Sequence, residues 1–280
     1  MRYYYRAPCP ILKPYVGSFY LMEMPQPMSG QVRVEIPHIR FLCRGASTLS
    51  VGDNRSVFRS PEVLMCGPSF RTGMVSVTEN TLILGGSLTP AGWCALTGVS
   101  AEGYANRKVS FADIRPELDP SPLHAVIDSD VSDDVLFSAI ERFLIDALIE
   151  KPAPRWDFIE AAMDWATDRA SPGISELHRR TGLSPRQVDR LCRYHFGASP
   201  KQVHRVFRAL NIAYRLTVEG ADNWREVVDP FYDQSHFVRD FKDRIGCTPG
   251  DFTGERLAMM RHDLEQKAAV ADTPRYCLIG

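Results

Sequence analysis

At 280 residues, 44% hydrophobic and 24% charged, the chain has room for two domains, and its composition excludes a disordered or low-complexity polymer. No run of 18 apolar residues occurs, and Met1-Arg2-Tyr3-Tyr4-Tyr5-Arg6 lacks the apolar core of an export signal, so a cytoplasmic chain with no membrane span is expected. Seven cysteines stand singly with no Cys-x-x-Cys, which argues against a disulfide framework or a zinc site.

The first 112 residues read as β-rich. Gln31 to Pro37 alternates with period two and places Val32, Val34 and Ile36 on one face of a predicted strand. Ser47 to Val57 predicts a hairpin around Gly52-Asp53-Asn54, and short apolar runs from Glu62 and Thr81 each end at Gly or Gly-Pro. Many short strands with such punctuation predict a β-barrel or sandwich. Thr89-Pro90 then starts a helix that Gly98 stops. Tyr3, Tyr4, Tyr5, Phe19 and Tyr20 line a pocket or form ordinary core, and Arg40 and Arg44 meet either an anionic effector or solvent and internal carboxylates.

Residues 113–153 form an acidic linker. Positions 121–170 carry 4 Lys/Arg against 11 Asp/Glu, whereas 1–120 and 171–280 each have a balance of +3 (12 against 9, and 17 against 14). Ser132 to Glu150 predicts a helix with Leu136, Ile140, Phe143 and Leu144 on one wide apolar stripe, which either packs on its own domain or forms a homodimer. Lys151-Pro152-Ala153-Pro154 breaks the chain, and Trp156 to Arg169 predicts the first helix of an all-α domain over 154–256.

That domain contains an internal repeat. At an offset of 49 residues Arg190, Gly197 and Pro200 recur as Arg239, Gly246 and Pro249, with like residues between them. Each unit predicts a capped helix ended by glycine: Ser184-Pro185 opens the first, Asp233 the second. With Ile174 to Leu183 ahead of it, the first unit follows helix-turn-helix grammar. On a helical wheel Val188, Leu191 and Cys192 face inward while Arg186, Arg190 and Arg193 face out; in the second unit Phe237 and Phe241 face inward, and Ser235, Arg239 and Lys242 face out. Outward Arg, Gln (Gln187 here) and Ser match guanine and adenine edges in the major groove. Between His178 and Arg215 nine basic residues are opposed only by Asp189, as a polyanion-binding face requires. Lys201 to Val218 predicts a long linker helix, about 27 Å at 1.5 Å per residue, which would set the two outward helices one groove repeat apart. On it Arg205 and Arg208 are candidate phosphate contacts, Arg208 alternatively an internal strut.

Ser184 to Pro200, and more specifically Phe231 to Phe252, resemble the two recognition segments of AraC/XylS-type transcription regulators. Residues 1–112 more loosely resemble the cupin-like sensor domain of one subgroup, through Leu12 to Val16, Cys66-Gly-Pro and Leu88 to Val99. The resemblance implies a bacterial regulator of promoter DNA with no cofactor, a small-molecule effector in the β domain, a homodimer, and RNA polymerase as partner if it activates. It carries base contacts onto Arg186, Asp189 and Arg190, and onto Gln234, Ser235, His236 and Arg239; Asp189 either reads cytosine or holds Arg193. Two departures stand out: the first helix of the second unit is short, with Pro230 in place of the usual turn glycine so that the turn has another shape, and Cys192 replaces a typically aromatic core residue. Residues 257–280 are left as a C-terminal tail. Two alternatives to an effector-responsive regulator remain: control by a protein partner or abundance, and a barrel enzyme. The enzyme is disfavoured because His38 is the only histidine in the first 123 residues and is expected to be structural.

Overall fold

The computed structural model describes residues 2–127, 131–149, 152–221, 223–227, 234–253, 258–270 and 272–280. Two antiparallel sheets make the N-terminal domain. The larger runs in the order β1 (Arg2–Arg6), β2 (Val16–Met24), β9 (Thr81–Leu88), β4 (His38–Arg44), β7 (Glu62–Cys66), β10 (Lys108–Ser110). The smaller runs β3 (Met28–Val32), β8 (Gly73–Val77), β5 (Ala46–Val51), β6 (Asn54–Arg59), the last two joined by the predicted hairpin.

Period-two alternation splits the large sheet's side chains between two cores. Phe19, Leu21, Ile39, Phe41, Met65 and Leu84 face helix α1 (Pro90–Thr97) and helix α3 (Asp133–Ala147). Tyr20, Leu42, Leu64 and Ile83 face the small sheet instead. Helix α1 starts at the predicted cap, Thr89 Oγ1 accepting from Gly92 N at 3.0 Å.

The apolar stripe of α3 is spent inside its own domain. Leu136, Phe137, Ile140, Leu144 and Ala147 are buried in the core under the large sheet, and Phe137 packs on Tyr4 and Phe19. Strand β1 staples the helix start, Tyr4 donating to Asp133 at 2.6 Å and Arg6 pairing with Asp134 at 2.6 Å. These residues are therefore not a free surface, and of the two placements the sequence left open the stripe takes packing on its own domain. A short helix α2 (Ser121–Ile127) packs beside it.

The helical domain follows the sequence closely: α4 (Trp156–Thr167), α5 (Ile174–Thr181), α6 (Pro185–Phe196), α7 (Pro200–Thr217), α8 (Trp224–Val227) and α9 (Gln234–Ile245). Ser184 and Gln187 form a reciprocal capping box at the start of α6. Pro230 and Asp233, which the sequence singles out as turn and cap, lie outside the described residues.

Two segments depart from expectation. The strand expected over Gln31–Pro37 stops at Val32, because residues 33–37 leave the sheet and dock on the helices. Val34 N donates to Arg244 O at 2.8 Å, and Val34 and Ile36 join the helical core. The C-terminal tail folds back as α10 (Ala258–Ala268) and α11 (Arg275–Ile279). Tyr276 stacks on Phe207 of α7, and Cys277 is buried against Gly17 of β2. The tail thus bridges both domains rather than trailing from them. Among the described residues no helix is long and apolar enough to cross a membrane.

Candidate nucleic-acid interface and sensor cavity

Helices α6 and α9 each bury one face and offer the other. Val188, Leu191 and Cys192 of α6, and Phe237, Phe241 and Ile245 of α9, enter the helical core. Arg186 and Arg190 stand exposed on α6, as do Gln234, Ser235, His236, Arg239 and Lys242 on α9. Arg239 folds along its own helix, Nε to Ser235 O at 3.3 Å.

Three α6 positions have internal roles. Gln187 Oε1 accepts from Ser184 N at 3.0 Å and from Ser184 Oγ at 2.8 Å, so its amide is engaged at the helix start. Asp189 holds Arg193 at 2.8 Å, the second of the two roles open for it. Arg193 also reaches Glu102 of the sensor at 2.6 Å. The exposed arginines of α6 are thus Arg186 and Arg190.

The C-terminal halves of both helices dock on the sensor. Gly197, which ends α6, is left-handed at φ 78°, and a Cβ there would lie 2.5 Å from the Pro68 side chain. Beyond α9, Gly246 sits against Gln31, and Thr72 N donates to Asp243 O at 3.4 Å. Exposed arginines at one end and sensor contacts at the other leave the N-terminal part of each helix open while the domains stay joined.

A buried carboxylate ties the two units together. Asp240 of α9, 2% exposed, accepts from Arg205 of α7, from Arg208 of α7 at 3.3 Å, and from Arg244 at 2.6 Å. Burial lowers the Arg244 pKa although Asp240 opposes the shift. Arg205 and Arg208 are both engaged by this knot, Arg205 with about a third of its side chain still exposed, and Arg208 takes the strut geometry that the sequence left open. Asp240 lies three residues after Phe237 and one before Phe241, a charge on the buried stripe.

The space between the two sheets is a cavity of about 660 Å³. Its body is apolar and rich in methionine (Met22, Met24, Met28, Met74), and its other end holds Tyr3, Tyr20, Arg33, Glu35, Arg40 and Asp263. Gly85 makes the polar end possible. A Cβ there would lie 2.2 Å from the Tyr20 ring, so only glycine lets Tyr20 reach across β9 and accept from Arg40 Nε at 2.8 Å. Arg40 also pairs with Glu35 at 2.8 Å. Burial works against the Glu35 charge, but Arg40 and His38 outweigh it and bring its pKa down to about 2. His38 is buried against Ile36 O at 2.8 Å, and burial lowers its pKa to about 3, as a structural histidine requires. Of the five N-terminal aromatics Tyr3 and Tyr20 line the cavity, while Tyr4 and Phe19 lie on the far face with Phe137. Arg44 is exposed and pairs with Glu23 at 2.8 Å, away from the cavity.

Lys108, Arg33 and Asp263 were missed by sequence reasoning. Lys108 is 3% exposed between the sheets, with Ser47 Oγ at 3.0 Å and the Phe58 ring at 5.3 Å. No local pattern marks any of the three, since their partners come from distant strands and helices.

Residues 177–255 match a family model described as a helix-turn-helix domain. Among solved structures the chain is similar to ToxT from Vibrio cholerae, at 11% identity and TM-score 0.48, covering 84% of this chain and 98% of that one. A ToxT structure from the same organism, described as bound to unsaturated fatty acid, gives 11% identity and TM-score 0.44 over 83% of this chain and 92% of that one. An AraC-like transcriptional activator, CuxR, gives 14% identity and TM-score 0.26 over 80% and 90%. No curated protein matches the chain.

Proposed function

We propose that the AraC-type helix-turn-helix domain at residues 177–255 is the promoter-reading head of a transcription regulator, and that the cavity of the β domain binds the small molecule controlling it. The observation that carries this is the polarity of α6 and α9. Each points exposed arginine away from the fold at its N-terminal half and rests its C-terminal end on the sensor. Arg186 and Arg190 from the first helix, with Gln234, Ser235, His236, Arg239 and Lys242 from the second, are the base-edge and phosphate contacts, Arg being suited to guanine O6 and N7. Helix α7, with 18 residues, is about 27 Å long and would hold the pair within one groove repeat of B-DNA. Asp189, Gln187 and Arg193 then act by shaping α6 rather than by touching bases.

The effector half of the proposal is supported by where the cavity wall leads. Strand β3 lines it, and the chain that continues from β3 bonds directly to the end of α9. A molecule filling the cavity bears on the same backbone that holds the second recognition helix, a coupling that needs only a ligand with different affinity for two arrangements of that contact.

The test is a randomised-site selection with the full chain and with Arg190→Ala and Arg239→Ala. Each substitution should cost about 1–3 kcal/mol on the selected site and relax preference at its own base positions. Unchanged preference in both variants would remove these helices from sequence readout.

A further inference from the structure

The polar end of the cavity is a built anion site that the chain itself fills. Asp263, on α10, projects its carboxylate into a pocket made mainly by the sensor. Its Oδ1 accepts from both Tyr3 and Tyr5, whose hydroxyls are 2.8 Å from each other. Its Oδ2 lies 3.5 Å from Arg33 and 3.6 Å from Lys267, which are 5% and 3% exposed. Burial raises the Tyr3 and Tyr5 pKa values, so both phenols stay protonated donors. Burial also works against the Asp263 charge, yet Lys267, Arg33 and the phenols hold its carboxyl well below the usual range. Two O–H donors and two cations converging on one carboxylate form a complete receptor for an anionic head group.

Tyr3, Arg33 and Asp263 border the same cavity whose body is lined by Met22, Met24 and Met28. Methionine walls adapt to varied apolar shapes, and the volume of about 660 Å³ falls in the usual range for small-molecule sites. We infer that Asp263 is a tethered stand-in for the carboxylate of a small apolar acid, and that such an acid takes its place on Tyr3, Tyr5 and Arg33, a step that rests on the effector role of the cavity. Displacement has a mechanical consequence. Arg33 and Lys267 also donate to the Gly280 carbonyl, at 3.0 and 2.9 Å, so the same two cations hold the end of α11. Helix α11 in turn packs Tyr276 on Phe207 of α7, the helix between the two recognition units. An acid that draws Arg33 away loosens the grip of the C-terminal segment on α7.

The experiment uses the full chain, its Asp263→Asn variant, 4-phenylbutyrate as probe and the uncharged 4-phenylbutyramide as control. Calorimetry should show the acid binding Asp263→Asn at least tenfold more tightly than the native chain, since the internal competitor has lost its charge, while the amide binds both within twofold. Hydrogen exchange on the native chain, which needs no variant to fold, should show the acid but not the amide speeding exchange across 261–270 and 275–280. Equal affinity of the acid for both proteins, exchange unmoved by saturating acid, or no binding of the acid at millimolar concentration overturns the tethered-carboxylate role. If the amide still binds in the cavity, the effector role stands without it; if neither probe binds, both fall.

Discussion

Arg193 on helix α6 and Glu102 on the sensor meet at 2.6 Å, Nη1 to Oε1, while the same guanidinium holds Asp189 at 2.8 Å. A side chain on α6 is thereby shared between its own domain and the sensor. Both partners are about half exposed, so the pair is worth no more than about 1 kcal/mol and is screened by salt. Glu102→Gln should therefore raise operator affinity by about two- to fivefold at low ionic strength. The gain should shrink as salt rises. Anisotropy titrations at two salt concentrations check this; an unchanged affinity at low salt would mean that the contact does not restrain α6.

The knot around Asp240 should dominate the stability of the second unit. Removing the charge leaves Arg205, Arg208 and Arg244 facing each other beside a buried amide, and breaking buried ion pairs in this way typically costs about 3–5 kcal/mol. Asp240→Asn should lower the melting temperature and weaken DNA binding together, whereas Lys242→Ala on the exposed face should weaken binding alone. Calorimetric melting of both variants separates the two effects. An Asp240→Asn melting point within a degree of the native chain would refute the role of the knot.

How far the sequence alone reached follows from the range of each interaction. The helices of 154–256 were legible because their caps, glycine stops and apolar stripes are local: Ser184-Pro185, Gly197 and Val188/Leu191/Cys192 all act within one element. The hairpin at Gly52 and the helix at Thr89 were legible for the same reason. What depends on distant partners was not. The alternation at Val32, Val34 and Ile36 predicts a strand, but the last two face a helical core that the local pattern cannot reveal. The stripe on α3 is apolar whether it meets a sheet or a second copy. Asp263 and Lys108 carry no signature, because what makes them notable is burial beside Tyr3 and Tyr5, or beside Ser47 and Phe58.

Acid should destabilise the chain before its carboxylates titrate. Burial lowers the pKa of His38 to about 3 and that of His195 to about 4, whereas an unfolded histidine titrates near 6.5. Below pH 6.5 the unfolded chain takes up protons that these two buried rings refuse, so stability is intact above pH 6.5 and falls as pH drops. The slope approaches about 1.4 kcal/mol per pH unit for each histidine. Unfolded carboxylates titrate near pH 4, so the window from pH 6.5 to 5 belongs to histidine. Urea unfolding across that window should show the loss, and His195→Gln should reduce its slope, His38 and His204, whose pKa burial also lowers, carrying the rest. A flat profile would mean that the rings are protonated in the folded chain.

Lys108 should extend the same trend, stability rising with pH, into the alkaline range. Burial lowers its pKa to about 8, with the nearby Arg40 adding to the effect and Cys66 and Glu35 opposing it, while an unfolded lysine titrates near 10.4. Its ammonium donates to Ser47 Oγ at 3.0 Å and lies over the Phe58 ring. At pH 7 the folded chain thus carries a desolvated cation at a cost to stability. Between about pH 8 and 10 that proton leaves the folded chain more readily than the unfolded one, so this contribution to stability rises with pH. Lys108→Met keeps most of the volume and removes the charge, and should stabilise the chain at pH 7 by about 1–3 kcal/mol. The difference between variant and native chain should then narrow as pH rises from 8 to 10, because the native amine becomes neutral. Parallel unfolding curves at the two ends of that range decide it: a constant difference would mean that Lys108 is stabilised as a cation where it lies.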